Sequence, residues 1–103
     1  MPYFMFMGLD GPEGQRIRRD VREQHRTYLR QPRDGCVFVS GGPLLDPDSG
    51  GMCGSLLIFE AKTIEYVRGV LDGDPYRQQG LYATTTLRLL DWTVGAPERS
   101  QIS

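Results

Sequence analysis

Asparagine is absent from this chain of 103 residues, histidine and tryptophan occur once each, and eleven of the twelve basic residues are arginine. With His25 alone, a multi-histidine metal site within one subunit is excluded. Any Ser-His-Asp or Cys-His chemistry must pass through that one imidazole. Two cysteines, Cys36 and Cys53, with no CxxC pair, are too few for a disulfide scaffold or a zinc cage. No apolar run approaches the roughly 20 residues that a bilayer-crossing helix needs. The stretch Tyr3 to Met7 is too short for a signal-peptide core and has no basic leader, so a cytoplasmic protein without membrane contact is expected. Charge of one sign is also lacking: twelve Lys+Arg against thirteen Asp+Glu leave a formal net charge of −1. That balance argues against nucleic acid as a partner. No glycine-rich loop followed by Lys and Ser/Thr is present, which leaves nucleotide hydrolysis unsupported. Neither a cofactor nor a metal is expected.

What is present is the composition of one soluble domain, 39% hydrophobic and 24% charged. Pro2 to Leu9 places Tyr3, Met5 and Met7 on one face of a strand and Phe4 and Phe6 on the other, the pattern of a central strand. Gln15 to Gln31 then reads as a helix, because Ile17, Val21, Gln24, His25, Tyr28 and Leu29 fall within an arc of roughly 140° at about 100° per residue. Arg19, Arg22, Arg26, Arg30 and Arg33 gather nearly opposite. They read as a solvated face, with Glu23 placed to pair with Arg19 or Arg26. No aromatics interleave with them, as a nucleic-acid surface would require.

Cys36 to Ser40 is a short β-branched strand that Gly41-Gly42-Pro43 is expected to end. Leu44 to Met52 reads as a mobile loop, and Cys53 to Glu60 as a returning strand apolar on both faces. A loop centred near Pro47 sets Cys36 opposite about Ile58, which disfavours a disulfide to Cys53. Thr63 is placed to cap a second helix carrying Ile64, Val67, Val70 and Leu71, and Gly73 to end it in the left-handed conformation. Asp74-Pro75-Tyr76 follows as a turn that the proline keeps from continuing as helix. A long strand is expected from Leu81 to Trp92, then a loose tail over 94–103.

The order β-α-β-β-α-β predicts an α+β, ferredoxin-like fold, a four-stranded antiparallel sheet with two helices on one face. The other face stays apolar on the first and third strands, which predicts a homodimer through the sheets.

Two polar residues stand out. His25 lies among the sheet-facing positions of the first helix, where an imidazole needs a partner. A histidine there is also what a satisfied core histidine looks like. Asp74 follows a helix stop and precedes a proline, which presents its carboxylate from a rigid turn. An ordinary Asp-Pro turn has the same sequence, and Asp46-Pro47 is a second example.

His25 with Tyr28 and Leu29, the turn Ser40-Gly41-Gly42-Pro43-Leu44, Gly54-Ser55, and Asp74-Pro75-Tyr76 followed by Gly80-Leu81-Tyr82 come in an order and spacing that resembles the YCII-related proteins. The resemblance covers residues 1 to 93 as a single domain. It implies a dimeric α/β-barrel of two ferredoxin-like subunits, with His25 and Asp74 as the catalytic pair. Ser40, Gly41, Gly42, Pro43, Ser55 and Tyr76 are implied to bind a small-molecule ligand. The arginine stripe and the glycine-rich loop at Asp48 to Gly51 depart from that pattern.

The implied chemistry is proton abstraction of lyase or isomerase type. An imidazole with a pKa near 6.5 accepts a proton at neutral pH, and a carboxylate on its other nitrogen fixes the tautomer. Backbone amides of Gly41 and Gly42 are candidates for holding an oxyanion. Hydrolysis through Ser40 or Ser55 has no nucleophile-elbow pattern behind it. The alternative is a non-catalytic ligand-binding or accessory module of the same fold.

Overall fold

Alternation along the first strand decides the architecture. In β1 (Tyr3–Asp10), Phe4 and Phe6 are buried, while Met5 and Met7 between them are half-buried on the other face. A computed structural model describes residues 1–98; residues 99–103, the end of the expected tail, lie outside the described residues. After β1 come α1 (Gly14–Arg30), β2 (Cys36–Leu45), β3 (Met52–Ala61), α2 (Ile64–Asp72), α3 (Pro75–Gln78) and β4 (Tyr82–Leu90). The strands form one antiparallel sheet in the order β2-β3-β1-β4, the ferredoxin-like arrangement expected from the sequence.

Register carries the β1 pattern across the sheet. Phe4 pairs with Phe59 and Phe6 with Leu57, and these face α1 and α2. Leu29 of α1 and Val67, Val70 and Leu71 of α2 complete the core with Cys36 and Ala61. Each such large apolar side chain contributes about 1.5–3 kcal/mol on full burial. On the uncovered face Met5 pairs with Ile58 and Met7 with Leu56. A smaller cluster of Ile17, Tyr76 and Leu81 joins α1 to α3.

Five local features differ from the sequence-based reading. β2 does not stop at Ser40 but runs through Leu45, with register shifts between Phe38 and Ser40 and between Leu44 and Leu45. As an edge strand it tolerates Pro43. Gly41, at φ 159°, lets it pass so close to Leu56 that a Cβ would collide with that residue's carbonyl oxygen. The longer strand moves the turn to residues 46–51, where the Asp46 carboxylate accepts the backbone N–H groups of Asp48 and Ser49. Those bonds hold the Asp46 carboxyl below its usual range. Cys36 therefore pairs with Ala61 rather than Ile58, and both cysteines are free.

Thr63 stands at the α2 N-cap, but its side chain makes no capping hydrogen bond. Gly73 is right-handed, at φ −90°, not left-handed. Its missing Cβ instead makes room for the Tyr28 hydroxyl, which donates to the Val70 carbonyl at 2.7 Å and ties α1 to α2. Asp74-Pro75-Tyr76 opens the short helix α3, because proline is well tolerated in a first helical turn.

Candidate functional site

Asp74 is fixed from both sides. As the N-cap of α3 its Oδ1 accepts the backbone N–H of Tyr76 at 3.0 Å. The same oxygen lies 2.7 Å from Nδ1 of His25, on the buried face of α1. The carboxylate is 0% exposed and the histidine 7%. Among the described residues, Asp74 Oδ2 has no hydrogen-bond partner. The Tyr76 ring stacks on the imidazole at 4.0 Å between centroids and 19° between planes. Where Nδ1–H donates to the carboxylate, Nε2 is the ring nitrogen left for another partner.

Two turns earlier on the same helix lies Arg18, which the sequence reading does not single out. It is 3% exposed. Its Nε donates to Asp10 Oδ2 at 2.7 Å and its Nη2 to Asp10 Oδ1 at 2.9 Å, with further contacts to the Gly54 carbonyl and the Ser55 hydroxyl at 2.6 and 2.9 Å. Burial pulls this guanidinium down, but the hydrogen bond and charge of Asp10 outweigh it and hold the pKa above its usual value. The signal was present: an arginine seven positions before His25 shares its side of a helix.

Burial pushes the Tyr76 phenol up, against the opposing charges of Arg18 and Arg22, so it stays protonated at neutral pH. Tyr82 is likewise raised by burial. Its hydroxyl lies near Ser55 without a hydrogen bond of good geometry.

His25, Arg18, Ser55 and Tyr76 border a cavity of about 210 Å³. Helix α1 contributes Arg18, Arg22, His25, Arg26, Leu29 and Arg30 to its wall. Phe38, Gly41, Gly42 and Pro43 come from β2, Met52, Ser55 and Leu57 from β3, and Tyr76 from α3. Of the residues expected here, His25, Gly41, Gly42, Pro43, Ser55 and Tyr76 are thus brought together. Asp74 stands behind His25 and does not line the space. Ser40 is exposed and pairs with Ile58, which shares the sheet face turned away from the helices, so it too lies outside the lining.

The arginine stripe is not simply a solvated face. Arg22 and Arg26 lie about 60° and 100° around the helix from His25, close enough to reach the same opening. Arg26 does pair with Glu23, at 3.6 Å. Arg33 folds back over the end of α1, donating to the carbonyls of Tyr28, Leu29 and Gln31, with its guanidinium 4.3 Å from the Tyr28 ring centroid. No helix among the described residues is long and apolar enough to cross a membrane.

Known proteins resemble this chain in sequence and fold. The sequence model of the YCII-related domain matches residues 1–93. An uncharacterised protein of Haemophilus influenzae strain Rd is 28% identical over 91 residues, 84% of this chain and 93% of its own length. The solved structure of 5-chloro-2-hydroxyhydroquinone dehydrochlorinase from Burkholderia phenoliruptrix AC1100, in complex with 2,5-dihydroxybenzoquinone, is 30% identical. It superposes with a TM-score of 0.73 over 84% of this chain and 90% of that one. An antibiotic biosynthesis monooxygenase, 14% identical with a TM-score of 0.55 over 88% of this chain and 97% of its own, shares the fold alone. A domain of this kind with a cavity of this size fits a small-molecule enzyme or binding module. From the match over residues 1–93 and the ferredoxin-like sheet, the chain belongs to the YCII-related family.

Proposed function

We propose that this protein is an acid/base enzyme of lyase or isomerase type, acting on a small hydroxylated ring or carbonyl compound through His25 and Asp74. The observation that carries the reading is the 2.7 Å contact between His25 Nδ1 and a fully buried carboxylate, at the wall of a cavity. Nε2 takes a proton from a carbon or oxygen acid of the substrate, and Asp74 stabilises the imidazolium that forms. The negative charge left on the substrate meets the positive wall of α1, and the backbone of Gly41 and Gly42 borders the same space. Ser55, engaged by Arg18, and Tyr76, stacked on His25, shape the floor and hold the imidazole plane. The likeness to a dehydrochlorinase bound to a dihydroxybenzoquinone supports both the lyase class and a ring-sized ligand.

The subunit is proposed to work as a homodimer. Met5, Met7, Leu56 and Ile58 form an apolar patch on the sheet face that neither α1 nor α2 covers. Light scattering should give twice the 11.6 kDa of one chain.

The test of the chemistry is NMR in deuterated solvent on a panel of hydroxylated rings and small carbonyl compounds. Solvent-derived deuterium, or elimination, is expected with the wild type and is expected to fall about 10²–10⁴-fold in His25→Ala and Asp74→Asn. Equal turnover in wild type and variants ends the acid/base reading. A compound that binds in the cavity and is recovered unchanged replaces it with a ligand-binding module.

A further inference from the structure

The cavity carries a charge pattern that proton abstraction alone does not require. Arg18, Arg22, Arg26 and Arg30 all border it, spaced by four residues along α1 and so about 6 Å apart along the helix axis. No aspartate or glutamate lines the space. A chain of net charge −1 has therefore gathered positive charge around one opening.

The partners of these arginines differ. Arg18 is committed to Asp10 at 2.7 Å, behind the wall. Among the described residues, Arg26 meets the exposed Glu23 alone, at 3.6 Å, a contact that water screens. Among the described residues, neither Arg22 nor Arg30 has an ion pair, whereas Arg16 and Arg19, on the outer side of the same helix, pair with Glu13 and Asp20. Arg22 is close enough to the site to act electrostatically on the Tyr76 phenol. Across from this row the lining turns apolar, with Phe38, Met52 and Leu57.

We propose that the cavity selects a ring compound bearing a carboxylate, with the ring against Phe38, Met52 and Leu57 and the carboxylate drawn to the arginine row that Arg22 and Arg30 flank. This deepens the reading above and rests on the cavity being the substrate site. Guanidinium presents paired N–H donors that match the two oxygens of a carboxylate, and two unpaired guanidinium groups beside a partly enclosed space make such an anion more favourable than its neutral analogue. Arg26, near both, adds to the field. At about 210 Å³ the space lies below the range typical of drug-sized ligands, which fits one substituted ring.

The experiment compares two probes of nearly the same shape, 3,4-dihydroxybenzoate and 3,4-dihydroxybenzyl alcohol, by calorimetry on the full chain. The carboxylate is expected to bind at least about tenfold tighter in low salt, as one charge-assisted contact provides. The preference should shrink as salt approaches about 1 M, where the Debye length is near 3 Å. In the Arg22→Gln/Arg30→Gln double variant the two affinities should converge through loss of the carboxylate's alone. Both residues are exposed, so the thermal midpoint should stay put and show that the variant folds. His25→Ala should keep the preference, which separates failure of the acid/base reading from failure of this one. Equal affinities in the wild type, a preference that survives the double variant, or no carboxylate binding at millimolar concentration each overturns the proposal.

Discussion

Helix α1 buries two polar contacts two turns apart on one side, and they are built differently. Around Arg18, charge meets charge: Asp10 takes two bonds from Nε and Nη2, and Nη2 also meets a backbone carbonyl and the Ser55 hydroxyl. Around His25, among the described residues, one bond to Asp74 holds the ring laterally, Asp74 Oδ2 has no hydrogen-bond partner, and the imidazole faces a cavity. A contact of several bonds resists change, since a donor that moves leaves buried acceptors behind. A contact resting on one bond is cheaper to alter. Under the proposed function, the first contact serves stability and the second proton transfer.

The largest effect should come from breaking the first contact. Asp10→Asn strands a buried guanidinium, and denaturant unfolding should show a loss of about 3–5 kcal/mol. Asp74→Asn should reverse the balance. It keeps an oxygen for the Tyr76 N–H and loses only about 1 kcal/mol of stability, while turnover drops about 10²–10⁴-fold. Were Asp74→Asn the more destabilising of the two, the assignment of roles would be inverted.

Between the two contacts stands Tyr76, 5.1 Å from the Arg18 guanidinium and stacked on His25. Burial raises its phenol and that of Tyr82. The folded state therefore keeps protons that the unfolded chain releases above pH about 10. Stability is fully present below that pH and is lost as pH rises through the raised folded values. Urea midpoints measured from neutral to strongly alkaline pH should fall there, and Tyr82→Phe should flatten the fall. The smallest contrast concerns caps. Asp74→Ala removes a side-chain cap and should cost about 0.5–2 kcal/mol, whereas Thr63→Ala, where no such bond exists, should be nearly silent in the same unfolding assay.

Much of the fold was legible because its signals are local and periodic. Phe4 and Phe6 against Met5 and Met7, and Ile17, His25 and Leu29 on one arc, report a central strand and a sheet-facing helix without any knowledge of partners. His25 and Asp74 were visible for another reason: a polar group on an apolar face and a carboxylate on a rigid turn are each unusual positions. That they meet across a separation of 49 residues follows from topology, and the family resemblance supplied it. What stayed hidden depends on space rather than period. Gly41-Gly42-Pro43 looks like the end of a strand, yet at a sheet edge it continues one. Pro75 looks like a helix breaker, yet it opens α3. Gly73 looks like a left-handed cap, yet what it provides is room for the Tyr28 hydroxyl. The arginines read as solvated because angle around a helix says nothing about what the neighbouring hairpin encloses. Asp10 gave no sign that it neutralises Arg18, since nothing at the end of β1 announces which side chain of α1 will reach it.

The central claim is that Asp74 fixes the tautomer of His25 and leaves Nε2 free to take a proton. Because the chain has one histidine, the ring ¹⁵N spectrum near neutral pH is assigned without ambiguity. The account predicts Nδ1 protonated and Nε2 bare, with that population lost or averaged in Asp74→Ala. A protonated Nε2 in the wild-type neutral ring, or a spectrum that Asp74→Ala leaves unchanged, would contradict it.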